Sequence, residues 1–282
     1  MEATKSVYKS EAGKRKIQSQ YREILERWPV SSECFSIRAN NIETHIIESG
    51  SRDDPSLLLF HGTSSNSACW MGDVSLWSQY FRVLAVDIPG EPGLSEDRRL
   101  SVSDASYADW ILGIYHELSI PKASIVGMSL GSYAALKFAI GQPERVAKLV
   151  LITTGGIVPA KAGFLYKALL LMMLGNWGAK KLNRMIYHKT EVTSEVVEFA
   201  NLVMHNFSPN TTEPLSIFTD QEISCLQMPV LFFGGTKDVL IDSEKAGKRL
   251  QALLPHAKVN ILADTGHAIL GKSEEILRFL TT

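Results

Sequence analysis

Gly127-Met128-Ser129-Leu130-Gly131 sets a serine between two glycines, directly after the apolar run 123–127 and directly before a helical pattern. So tight a strand-to-helix turn strains the serine backbone and leaves its hydroxyl exposed at a sheet edge, while the small neighbours let adjacent backbone pass closely. A serine hydroxyl is a weak nucleophile without a base in reach, and seven histidines compete for that role. His267 follows the last strand pattern, 258–262, in Ala-Asp-Thr-Gly-His, which puts it at the same carboxyl edge. His61 also ends a strand pattern, and its Gly-rich loop gives it a supporting, substrate-side role. His45 lies inside a strand pattern, and His116, His188, His205 and His256 lie in helices or their flanks, where a solvated or packed histidine is the usual case.

The base needs a carboxylate to hold its tautomer and to stabilise the imidazolium. Asp238 stands four residues after the run 230–234, and the loop after the preceding strand, 153–156, offers no carboxylate. Asp242 better suits the cap of a helix starting at residue 243. Asp264 lies in the histidine's own loop, from which reaching back to Nδ1 is awkward. The chain order is then Ser129, Asp238, His267. An oxyanion formed at this serine needs two fixed N–H donors. Thr63, in the loop after the run 57–60, and Leu130, next to the serine, are the expected pair, with Ser64 as the alternative to Thr63.

Positioning these groups requires a sheet. Eight short apolar runs recur at 34–38, 42–48, 57–60, 82–87, 123–127, 148–152, 230–234 and 258–262, with helical patterns near 66–80, 104–118, 130–141, 243–254 and 272–281. Several runs are continuously apolar, the mark of strands buried on both faces. The alternation predicts an α/β fold: a doubly wound, mostly parallel eight-stranded sheet flanked by helices. Residues 1–30 read as an N-terminal helical extension, with Ile17, Tyr21, Ile24 and Trp28 on one stripe that packs on the body. Residues 31–282 form the main domain. A strandless, Leu- and Met-rich stretch at about 155–219 reads as an inserted helical cap. His61, Phe164, Leu169, Met172, Met173 and Trp177 are candidate substrate contacts, the cap residues forming an apolar entrance. The competing reading packs those apolar residues onto the core.

With these residues in view, the chain resembles the α/β-hydrolase superfamily. The order Ser129, Asp238, His267, the His61-Gly62 turn, and Asp87-Ile-Pro-Gly-Glu-Pro-Gly-Leu-Ser95 carry the resemblance. The last is similar to the superfamily's loop D-x-P-G-x-G-x-S, with one extra residue between its glycines. The likeness covers roughly residues 31–282 and looks strongest to single-domain carboxylesterases of the bacterial cytosol. It implies hydrolysis of small, apolar carboxylic esters through an acyl-enzyme, with no metal and no organic cofactor. Serine at position 129 argues against the dehalogenase and epoxide-hydrolase branches, which use aspartate there. C–C bond (diketone), lactone, thioester and amide hydrolysis use the same triad and stay open, as does a non-catalytic ligand receptor.

Composition narrows the rest. The chain has 282 residues, with 29 Lys+Arg against 30 Asp+Glu, so a net charge of −1 gives no electrostatic footprint for nucleic acid. Hydrophobic residues at 45% and charged residues at 21% supply enough apolar surface for an ordered core. The cysteines, Cys34, Cys69 and Cys225, lack disulfide or zinc spacing. With no apolar signal region and no span-length apolar run, the expectation is a cytoplasmic protein without integral membrane contact, a monomer or homodimer acting on a small-molecule ester.

Overall fold

Continuously apolar strands need helices on both faces, and the computed structural model, which describes residues 6–209 and 213–282 with backbone alone at 165, 169, 172, 176 and 179, supplies them. The strands are β1 (Ser32–Ala39), β2 (Ile42–Ser49), β3 (Ser56–Phe60), β4 (Arg82–Val86), β5 (Ala123–Met128), β6 (Val146–Ile152), β7 (Val230–Gly235) and β8 (Lys258–Leu262). They form one sheet in the order β1-β2-β4-β3-β5-β6-β7-β8. β2 pairs antiparallel with both β1 and β4, and the other pairings are parallel. Each apolar run of the sequence is a strand of this sheet.

The side-chain alternation of β3 divides the core in two. Leu57 and Leu59 join Trp77 of α2 (Met71–Trp77) and Phe279 of α10 (Ser273–Thr281). Leu58 and Phe60 face the other way, onto Trp110 of α3 (Ser106–Glu117) and Leu136 of α4 (Leu130–Gly141), in the layer that also takes Leu250 of α9 (Ser243–Leu253). Burying each such side chain contributes roughly 1.5–3 kcal/mol. β3 pairs with β4 on one side and β5 on the other. Connections therefore leave in opposite directions at the carboxyl end of β3, and this is where an α/β sheet opens a crevice.

Between β6 and β7 the described residues hold only helices: α5 (Ala162–Met172), α6 (Gly175–Tyr187), α7 (Ser194–Asn206) and the short α8 (Asp220–Ser224). Thr219 and Glu222 form a capping box that starts α8. The N-terminal α1 spans Glu11–Leu25, and its start is fixed by Ser10 Oγ, which accepts the Gly13 N–H at 3.0 Å. Its Ile17 and Tyr21 are buried, with Ile17 in a cluster shared with Val203 and Phe207 at the end of α7. No helix among the described residues is long and apolar enough to cross a membrane.

Candidate active site

Ser129 sits between β5 and α4 with φ 51° and ψ −110°, a conformation that L-residues seldom adopt. The flanking glycines make it possible. A Cβ on Gly131 would lie 2.1 Å from the Phe60 carbonyl oxygen, and one on Gly127 would lie 2.6 Å from the Gly131 backbone. Ser132 braces the turn: its Oγ donates to the Gly127 carbonyl and accepts the Ile152 N–H at 2.9 Å.

His267 Nε2 lies 3.0 Å from Ser129 Oγ, and Nδ1 lies 2.9 Å from Asp238 Oδ2. With the carboxylate accepting from Nδ1–H, Nε2 is left to accept from the serine hydroxyl. Asp238 is fixed in turn, because its Oδ1 accepts the Leu240 N–H at 2.8 Å and the Ile241 N–H at 3.1 Å. Burial alone would raise the Asp238 carboxyl. The bond from His267 and the two backbone N–H groups outweigh that and hold the carboxyl below its ordinary value. The two rival carboxylates serve elsewhere. Asp242 caps α9 through the Lys245 N–H at 3.1 Å. Asp264 pairs outward with His188 and Lys189, which lower it to about 2.

On the other side of Ser129 runs the loop after β3. Gly62 comes close enough that a Cβ there would stand 3.4 Å from Ser129 Cβ. His61 is corrected from a substrate contact to a buried brace: it is 0% exposed and both its nitrogens are occupied. Nε2 accepts the Ile88 N–H at 2.9 Å, so the ring proton is on Nδ1, which donates to the Gly62 carbonyl at 2.9 Å. In a trans peptide the carbonyl and the following N–H point in opposite directions, so this bond also orients the Thr63 N–H.

Glu91 braces the loop from its other end, and the sequence reading missed it. Ser64, with φ 58°, donates its N–H to Glu91 Oε2 at 2.6 Å. That bond removes Ser64 as an alternative donor to Thr63. Burial pushes the Glu91 carboxyl up to about 8, against the opposing pull of the Ser64 N–H and the Arg99 charge. The loop after β4 is stitched to the loop after β3 at two further points: Asn66 Nδ2 to the Pro92 carbonyl at 3.0 Å, and the Ser67 N–H to Asp87 Oδ1 at 2.9 Å. Tyr21 of α1 donates to the same Asp87 oxygen at 2.9 Å, tying the N-terminal helix to this scaffold. The signal for Glu91 was the extra residue between the two glycines of the motif.

Among the apolar candidates, Phe164 is half-buried and the side chains of Leu169 and Met172 lie outside the described residues. Met173 and Trp177 are corrected: they are 78% and 60% exposed. They flank the turn between α5 and α6, where the chain reverses at Gly175 with φ 59°, and they face solvent there instead of lining an entrance.

A model described as the alpha/beta hydrolase family matches residues 57–279. Carboxylesterase YbfK of Bacillus subtilis is 30% identical over 274 residues, covering 92% of this chain and 89% of the relative. An uncharacterized carboxylesterase of the same organism is 30% identical over 271 residues, covering 92% and 90%. The crystal structure of naproxen esterase from Bacillus subtilis superposes with a TM-score of 0.84 at 26% identity, covering 96% of this chain and 99% of that one. The matched span takes in all of the residues gathered around Ser129, and the chain belongs to the alpha/beta hydrolase family.

Proposed function

We propose that this protein is a serine carboxylesterase. The observation that carries the reading is the unbroken run of hydrogen bonds from Asp238 through His267 to Ser129, at 2.9 and 3.0 Å, beside a loop that presents the Thr63 N–H. Ser129 Oγ attacks the ester carbonyl while His267 Nε2 takes its proton. Asp238 holds Nδ1–H and balances the imidazolium charge. The Thr63 and Leu130 N–H groups take the oxyanion, and neither donates to a protein acceptor among the described residues. His267 returns the proton to the departing alkoxide, leaving an acyl group on Ser129. Water then repeats the sequence and frees the acid. The similarity to Bacillus carboxylesterases supports an ester over the other acyl substrates that this chemistry admits. With Met173 and Trp177 turned to solvent, an apolar acyl preference loses two of its supports, and the proposal extends to small esters in general. Hydrolysis of p-nitrophenyl esters by the wild type and by Ser129→Ala tests it. The wild type turns over and the variant falls to background with an unchanged melting temperature. Substantial turnover by the variant would sink the assignment.

A further inference from the structure

The α5–α6 hairpin has a surface that the proposed chemistry does not use. Tyr166, Leu170, Met173, Leu174 and Trp177 are 71, 65, 78, 56 and 60% exposed. They make up five of the nine strongly exposed large apolar side chains among the described residues, gathered within twelve positions of sequence. Such a grouping on a water-facing surface marks a site of contact. Its charge is one-sided: from Val146 to Thr190 there is not one Asp or Glu, although the whole chain carries a net charge of −1. Lys167, Lys180, Lys181 and Arg184 are exposed and have no carboxylate partner among the described residues. Lys181 lies over the Trp177 ring, with Nζ 5.0 Å from its centroid.

The hairpin is held at its feet. Lys161 Nζ donates to the Asp238 carbonyl at 2.6 Å, and the Ile186 carbonyl accepts the His267 N–H at 3.0 Å. From those feet, the eleven residues of α5 carry the chain about 16 Å to the turn. Gly178 packs α6 tightly on α5, since a Cβ there would overlap the Leu171 carbonyl. The apolar side chains therefore cluster around the far end of a braced pair of helices.

We propose that this turn docks the protein on an anionic lipid surface. Leucine and methionine enter the acyl boundary, tryptophan and tyrosine sit at headgroup depth, and the lysines reach the anionic headgroups along their apolar stems. A second copy of the chain is a poorer occupant, because a two-fold contact brings this cationic patch against itself. Docking is a property of the hairpin and stands independently of the esterase reading.

The test is co-sedimentation of the full chain with phosphatidylcholine vesicles, with and without phosphatidylglycerol, at low and high salt. The expected result is binding to the phosphatidylglycerol vesicles that weakens as salt rises. Leu170→Ser/Leu174→Ser and Lys180→Glu/Lys181→Glu each weaken it, the lysine pair by about 25-fold or more, because each lost cation costs about fivefold in affinity. Both variants keep the wild-type melting temperature, which shows that they are folded. No binding by the wild type to phosphatidylglycerol vesicles at low salt overturns the proposal. So does binding that neither variant weakens. A concentration-dependent dimer that the leucine variant abolishes, with no vesicle binding, assigns the surface to a second copy instead.

Discussion

Replacing Glu91 by glutamine separates its charge from its hydrogen bond. The carboxyl is 5% exposed and pushed by burial up to about 8 from an ordinary 4.5. Between those two values the folded protein keeps a proton that the unfolded chain releases. The contribution of Glu91 to stability is therefore complete below pH 4.5 and is lost as pH rises to about 8. At about 1.4 kcal/mol per pH unit, the loss across that window comes to about 5 kcal/mol, a large share of a typical domain's stability. Glutamine cannot ionise, yet its Oε1 still accepts the Ser64 N–H. The variant therefore keeps its turnover and gains on the wild type by about 1.4 kcal/mol per unit between pH 5 and pH 8. Urea unfolding of both proteins at three pH values across this window, at constant ionic strength, reads the difference directly. Parallel profiles would refute the reasoning and mean that Glu91 is ionised, held by the neighbouring Arg99.

Two further substitutions test other parts of the site. Asp238→Asn keeps the fold but removes the acceptor that sets the His267 tautomer, and kcat falls by about ten-thousand-fold. Steady-state kinetics with a p-nitrophenyl ester measures this, and a loss of less than tenfold would assign the acid wrongly. Gly131→Ala drives a methyl group to 2.1 Å from the Phe60 carbonyl oxygen, which backbone on both sides cannot relieve. The expected loss is about 3 kcal/mol or more in stability, read as a fall in melting temperature.

How much of this was legible in the sequence differs from residue to residue. The central strands were plain because burial on both faces writes an unbroken apolar run, as in Leu57-Leu58-Leu59-Phe60. Strand ends at one edge of the sheet also told where Ser129 and His267 would meet, and the structure sets His267 between Ser129 and Asp238. Three features were not legible. The apolar pattern of α5 and α6 shows which residues share a face but not what that face meets, so Met173 and Trp177 were read inward. His61 carries the same letter whether its ring touches substrate or braces a loop, and only the Ile88 and Gly62 contacts decide between them. Glu91 was visible as an extra residue, but its role depends on Ser64 adopting a left-handed backbone 27 positions away.

The central claim is that Ser129 is the nucleophile, made reactive by His267. A fluorophosphonate probe, followed by peptide mass spectrometry, tests it most directly. The account predicts a single stoichiometric adduct on Ser129, absent after denaturation and absent in His267→Ala. An enzyme that hydrolyses esters while carrying its adduct on another residue, or while taking none at Ser129, would contradict it.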